Sequence, residues 1–244
     1  MHRFVLAEFN THRAFSRNSA SSRAIPVEKQ LSRLSGDPAW PIEWPSEQPG
    51  MQGGTALTGD ELDAAEALFA DIYDYTMGRV QGYLIGHQDK STRLHKSVMN
   101  RVLEPFMWHK AIVSATEWEN FFSQRCSPLA QPEIRAAAEA MQRAYGESVP
   151  QRLGWDDWHT PYVQADEMVL PLEVRKFISA ARCARVSYLT HDGAVDIGKD
   201  IWLYQKLVSA DPPHWSPLEH VATPSALAQT PGNFTGFEQL RHKD

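Results

Sequence analysis

The chain has 244 residues, 42% hydrophobic and 22% charged, a composition ordinary for a globular fold with one sizeable core or two small domains. Its formal charge of −6 argues against nonspecific binding to a nucleic-acid polymer, and no apolar run approaches the roughly 20 residues that span a bilayer. Two cysteines, Cys126 and Cys183, neither in a CxxC, support neither a disulfide scaffold nor a structural metal site. With no apolar leader ending in a small-residue cleavage site, the reading is cytoplasmic.

In chain order, residues 2–13 are apolar-rich and read as strand or helix, then give way to a polar stretch rich in Arg and Ser. Residues 36–54, GDPAWPIEWPSEQPGMQGG, hold four prolines and four glycines, so a loop-rich insertion of about 34–57 is expected, with Trp40 and Trp44 pinned by turns. Thr58 is the expected N-cap of a helix from Asp60, with Glu61 as its capping-box partner. Leu62, Ala65, Phe69, Ile72, Tyr73 and Thr76 trace its apolar face. Further helices are predicted over 92–107 up to Pro105, over 110–124, and from Pro132 to Gly146, where proline suits the first turn. The stretch 150–163 reads as loop, helices return over 173–184 and 198–209, and the last 25 residues carry no clear pattern. No internal repeat occurs. The fold class is α+β, in a single domain over 1–244.

Chemistry concentrates in three places. The stretch THRAFSRNSASSR (11–23) gathers donors suited to an anion: the Arg fork matches phosphate bidentately and serine hydroxyls fill the remaining oxygens. Arg13, Ser21 and Arg23 are the best candidates, Arg17 reads as ordinary surface, and the competing reading is a serine-rich loop in solvent. In NFFSQRCSPLAQPEIR (120–135), Arg125 projects from an aromatic-rich helix end, either toward a ligand or into a salt bridge with Glu117 or Glu133. Gln131 is a second candidate. Cys126, beside Arg125, is open to a lowered pKa, although a lone cysteine is more often inert. HWSPLEH (214–220) packs His214, Ser216, Glu219 and His220 into seven residues but lacks HExxH, and no GxSxG, GxGxxG or P-loop occurs.

Together these segments resemble the flavin-dependent thymidylate synthases. That family's hallmark is an Arg-His-Arg triplet, a serine, an Asn-Glu pair and a Ser-x-Arg; His12, Arg13, Ser16, Asn18, Ser21 and Arg23 fall on it, with Thr11 and Ser19 as departures. A second family block, Asn-Phe-Leu-x-x-Arg followed by Ala-Gln-x-Glu-Ile, matches Asn120, Phe121, Arg125, Ala130, Gln131, Glu133 and Ile134; Thr116 and Leu129 replace its usual arginine and histidine. The third block, Ala-Arg-Val-Ser-Phe and then His-x-Ser-Pro-Phe-Glu-His, matches ARVSY (184–188) and HWSPLEH. In the family the third block comes first, so the order here is that of a circular permutation, which folds tolerate when the ancestral termini lie close together. Residues 24–90 have no counterpart.

The resemblance implies a mixed helix–sheet homotetramer whose active sites lie where subunits meet and use FAD, methylenetetrahydrofolate and NADPH on a small-molecule nucleotide. Ser21 and Arg23 would then bind the nucleotide phosphate, with Gln131 also on the nucleotide. Arg125 would be the catalytic residue, against the pyrimidine edge, where it stabilises charge developing on the ring as C5 becomes carbanion-like. His12, Arg13, Asn18 and Asn120 would hold flavin, and His214, Ser216, Glu219 and His220 would line the flavin or folate side. The implied activity is dUMP to dTMP. The departures leave open a 5-hydroxymethylase acting on dCMP or dUMP, and a noncatalytic nucleotide-binding homologue.

Overall fold

The computed structural model describes residues 1–187, 196–226 and 232–243. Its architecture is mixed α+β, mostly helical with two small antiparallel sheets. A 3-10 turn (Arg3–Val5) leads to α1 (Leu6–Phe9), β1 (Ser16–Ser19), a second 3-10 turn (Ser22–Ala24), α2 (Val27–Gly36) and α3 (Asp60–Gly86). Then come α4 (Lys96–Met99), a 3-10 segment (Asn100–Phe106), β2 (Ala111–Ser114), α5 (Glu119–Arg125) and α6 (Pro132–Glu147). The rest is α7 (Leu172–Ala184), α8 (Ile197–Val208), a 3-10 turn (Ser216–His220), β3 (Ala222–Pro224) and β4 (Phe237–Gln239). No helix among the described residues is long and apolar enough to cross a membrane. Tyr188, which closes the ARVSY motif, lies outside the described residues.

The chain divides into two compact units. The first comprises 1–11, 21–109 and 120–147. Its core joins Val27, Leu31 and Leu34 of α2 to Met77 and Val80 of α3 and to Met99, Leu103 and Phe106. Each such aliphatic burial contributes about 1.5–3 kcal/mol. Trp40 packs edge-on against Tyr73 at 5.4 Å and Trp44 against Phe69 at 5.0 Å, so both tryptophans of the proline-rich loop rest on α3.

The second unit comprises 12–20, 110–119 and 148–244. Its core sets Ala180 and Ala181 of α7 against Tyr204 of α8, Leu218, Val221 and Leu240. Beside it lies a buried ionic cluster. Arg182 donates to both oxygens of Glu167 at 2.6 Å and to Asp200 at 2.9 Å, and Arg185 reaches Asp200 at 2.7 Å. Arg182 also donates to the carbonyl of Tyr162 at 2.7 Å, a non-glycine residue held at φ +66°. That contact helps offset the cost of a left-handed backbone.

Four sequence expectations are corrected. The 110–124 helix is two elements, because β-branched Ile112 and Val113 find a strand partner: in the β1–β2 register Ser16 faces Ser114 and Asn18 faces Ile112. The 92–107 helix is α4 plus a 3-10 segment containing Pro105, which lacks the N–H that a continued α-helix requires. The N-cap of α3 is Gly59 at φ +60° rather than Thr58, with no side-chain cap. The buried stripe of α3 also sits later than expected. Tyr73, Met77, Val80 and Leu84 face the core, whereas Phe69 is 37% and Ile72 49% exposed.

Candidate functional site

Ser21 and Arg23 sit on the second 3-10 turn, in the first unit, and the turn's backbone is anchored from several directions. Asn100 Nδ2 donates to the carbonyls of Ser22 at 2.6 Å and Ile25 at 2.9 Å, and Lys96 Nζ donates to that of Ala24 at 2.9 Å. Ser22 Oγ donates to Glu104 at 2.6 Å, and Glu104 is itself gripped by Arg3 and Arg101. These partners hold the Glu104 carboxyl below the usual carboxylate range despite the opposing effect of burial. Ser21 is half-buried, while Arg23 is exposed and makes no ion pair among the described residues. A rigid turn thus presents one uncommitted guanidinium to solvent.

Arg125 closes α5 in the same unit. Its Nη2 donates to Thr11 Oγ1 at 3.1 Å and to the Glu8 carbonyl at 3.3 Å, and the Thr11 hydroxyl donates to that same carbonyl at 2.7 Å. Arg125 thus docks on Thr11, at the end of the N-terminal segment. Asn120 is exposed in the first turn of α5. Gln131 is exposed too, and its carbonyl accepts the N–H groups of Ile134 and Arg135 at the start of α6.

The remaining candidates lie in the second unit. Ser16 and Asn18 share one face of β1, as the two-residue strand period requires. Ser16 Oγ accepts from Gln239 Nε2 at 2.8 Å, and Gln239 also donates to the Glu219 carbonyl at 2.7 Å. Asn18 Nδ2 donates to the Cys183 carbonyl at 2.6 Å, and its Oδ1 accepts from Ser216 Oγ at 3.4 Å. Segments roughly 165 and 198 residues apart therefore converge on one strand. Glu219 pairs with Arg241.

His220 is fully buried, with Nδ1 2.9 Å from Ser114 Oγ and no partner for Nε2 among the described residues. The tautomer that costs least carries its proton on Nδ1 and donates to Ser114, which leaves Nε2 as a bare acceptor. Protonating Nε2 would bury an unpaired N–H on a cation, and burial accordingly pushes the ring down to about 4. His220 is therefore a neutral internal prop at pH 7. His12 is buried and stacks on Phe15 at 5.8 Å, while Arg13, His214 and Ser216 are exposed. Arg17 is half-buried and donates to the His12 carbonyl at 3.0 Å, so the ordinary-surface reading is corrected.

Neither cysteine is a thiolate at neutral pH. Burial, aided by Glu139, pushes Cys126 up, in line with the inert reading rather than the lowered one, and burial pushes Cys183 up to about 12. Among the described residues no group of three or more His, Cys, Asp or Glu is placed to hold a metal ion. Sequence reasoning missed Asn100, Lys96, Glu104, Ser114 and Gln239. Each acts through a partner remote in sequence and carries no local signal. Compared with protein-family models, with curated proteins and with solved structures, the chain gives no match in any of the three.

Proposed function

We propose that the chain is a flavin- and folate-dependent C5 one-carbon transferase acting on a pyrimidine deoxynucleoside monophosphate, with dUMP to dTMP as the leading reaction. One observation carries the reading. In the second unit, Asn18 of the first block meets Ser216 of the third, both at positions on the family pattern. A coincidental scatter of motif letters has no reason to meet at those positions.

Roles follow from which groups are free. Arg23, with Ser21 beside it, takes the nucleotide phosphate, because a guanidinium without an internal partner on an anchored turn meets a dianion at little ordering cost. Arg125, which closes α5, takes the pyrimidine carbonyl edge, where negative charge grows as C5 becomes nucleophilic and a guanidinium stabilises it. In the second unit, exposed Arg13, His214 and Ser216 suit an anionic or carbonyl-rich cofactor such as FAD. Buried His12 and His220, with the committed Asn18 and Glu219, fit better as supports that fix β1 and the 216–220 turn. When bound, the reduced flavin supplies hydride and the folate supplies the carbon. The chain's part is to position the nucleotide and stabilise charge on it.

The test is to incubate the protein with FAD, NADPH and methylenetetrahydrofolate, offer dUMP and dCMP separately, and weigh the products. A methyl gain on dUMP is expected. A hydroxymethyl gain on either base would replace that activity with a hydroxymethylase, and no gain with flavin bound would leave a noncatalytic nucleotide binder.

A further inference from the structure

The first unit carries a half-open cavity of about 730 Å³ between the proline-rich loop, α3 and the start of α6. That volume lies within the range of small-molecule pockets. Its walls are apolar and aromatic, with Phe4, Trp44, Leu68, Phe69 and Leu129 among the lining residues.

The loop wall is built rather than slack. Ser46 N–H donates to the Thr55 carbonyl, Gly54 N–H to the Ser46 carbonyl and Leu57 N–H to the Trp44 carbonyl, each at 2.8 Å. The two arms approach so closely that a Cβ on Gly53 would fall within the ring of Pro45. This arrangement accounts for a segment that the motif reading leaves without a role.

Three charged residues line the cavity: Glu43, Glu133 and Arg135. Arg135 is committed to Glu43 at 3.0 Å and lies 3.8 Å from Glu139. Glu133 differs. It is only 4% exposed, one carboxylate oxygen accepts the Ile42 N–H at 2.9 Å, and no other hydrogen bond or ion pair reaches it among the described residues. A nearly buried carboxylate with spare acceptor capacity, set in apolar walls, is costly unless a donor or cation meets it. Apolar faces demand a flat hydrophobic body, and the carboxylate demands N–H donors on its edge.

We infer that this cavity binds a flat aromatic heterocycle of amidine type, a ring N–H beside an exocyclic amine, held by Glu133 and packed against the largely apolar wall. The inference rests on the cavity and not on the transferase reading, which places one of its lining residues, Gln131, on the nucleotide.

The probe is 2,4-diaminoquinazoline, titrated calorimetrically into the full chain, with unsubstituted quinazoline as the control lacking donors. Saturable binding of the diamino compound is expected, and Glu133→Gln should weaken it about tenfold to a hundredfold, the usual worth of a charge-assisted hydrogen bond. Quinazoline affinity should hardly change in that variant. Ala65→Phe, on the α3 wall, fills the cavity with the carboxylate intact and should remove binding of both compounds. It decides the matter if Glu133→Gln does not fold. Absence of saturable binding to the wild type, equal affinity for the two compounds, unchanged affinity in Glu133→Gln, or retained affinity in a folded Ala65→Phe would each overturn the inference.

Discussion

His220 makes the fold sensitive to mild acid. Its ring titrates near 6.5 in an unfolded chain and near 4 in the fold, so between these values the unfolded state binds more protons. For a histidine whose folded pKa is depressed, stability is full above the unfolded value and drains away as pH falls toward the folded one. Linkage over that interval gives a loss of about 2 kcal/mol between pH 7 and pH 5 from this residue. Urea unfolding at half-unit steps across that window, in the wild type and in His220→Asn, isolates the contribution. The variant loses the packed ring and is expected to be less stable at pH 7, but its slope with pH should be shallower by about that amount. If the two slopes coincide, His220 does not fold in its neutral form, and the account of its bare Nε2 is wrong.

The other expectations follow the same geometry. Arg125→Ala should lower kcat for nucleotide alkylation about 10²–10³-fold while the chain keeps a cooperative urea transition, since its bonds to Glu8 and Thr11 are partly exposed. Near-wild-type turnover would remove its catalytic assignment. Arg23→Ala should raise the Kd for dUMP about tenfold or more by calorimetry, with thermal stability unchanged because Arg23 has no internal ion pair among the described residues. Unchanged affinity would place the phosphate elsewhere. Arg182→Ala should cost about 3–5 kcal/mol by leaving the buried Glu167 carboxylate without its guanidinium and Asp200 with Arg185 alone, both carboxylates being less than a tenth exposed. A loss under about 1 kcal/mol by denaturant titration would mean that water enters the cluster.

The long amphipathic helices were legible because their evidence is local. Pro132 opens α6, and α7 and α8 follow their apolar periodicity to within a residue or two. The sheet was not. SRNS has poor strand propensity and owes its conformation to Ala111–Ser114, about 95 residues away, while that same segment, read alone, continues a helical pattern. The motif residues themselves stood out as a cluster of anion donors. What sequence could not convey is which of them are already committed: Asn18 and Arg23 are both strong hydrogen-bonding residues, yet only the first has its donor and acceptor engaged inside the protein.

The way the two units share the chain has a practical consequence for cutting it. Neither is a continuous stretch: the second unit borrows residues 12–20 and 110–119 from the half of the sequence that otherwise builds the first. A fragment beginning at residue 148 would keep α7, α8 and both short C-terminal strands but lack β1 and β2. Buried His220 and Gln239 would then be left without Ser114 and Ser16. Any dissection by truncation would therefore produce misfolded halves and be mistaken for evidence that neither half binds anything; point substitution is the means by which the two can be separated.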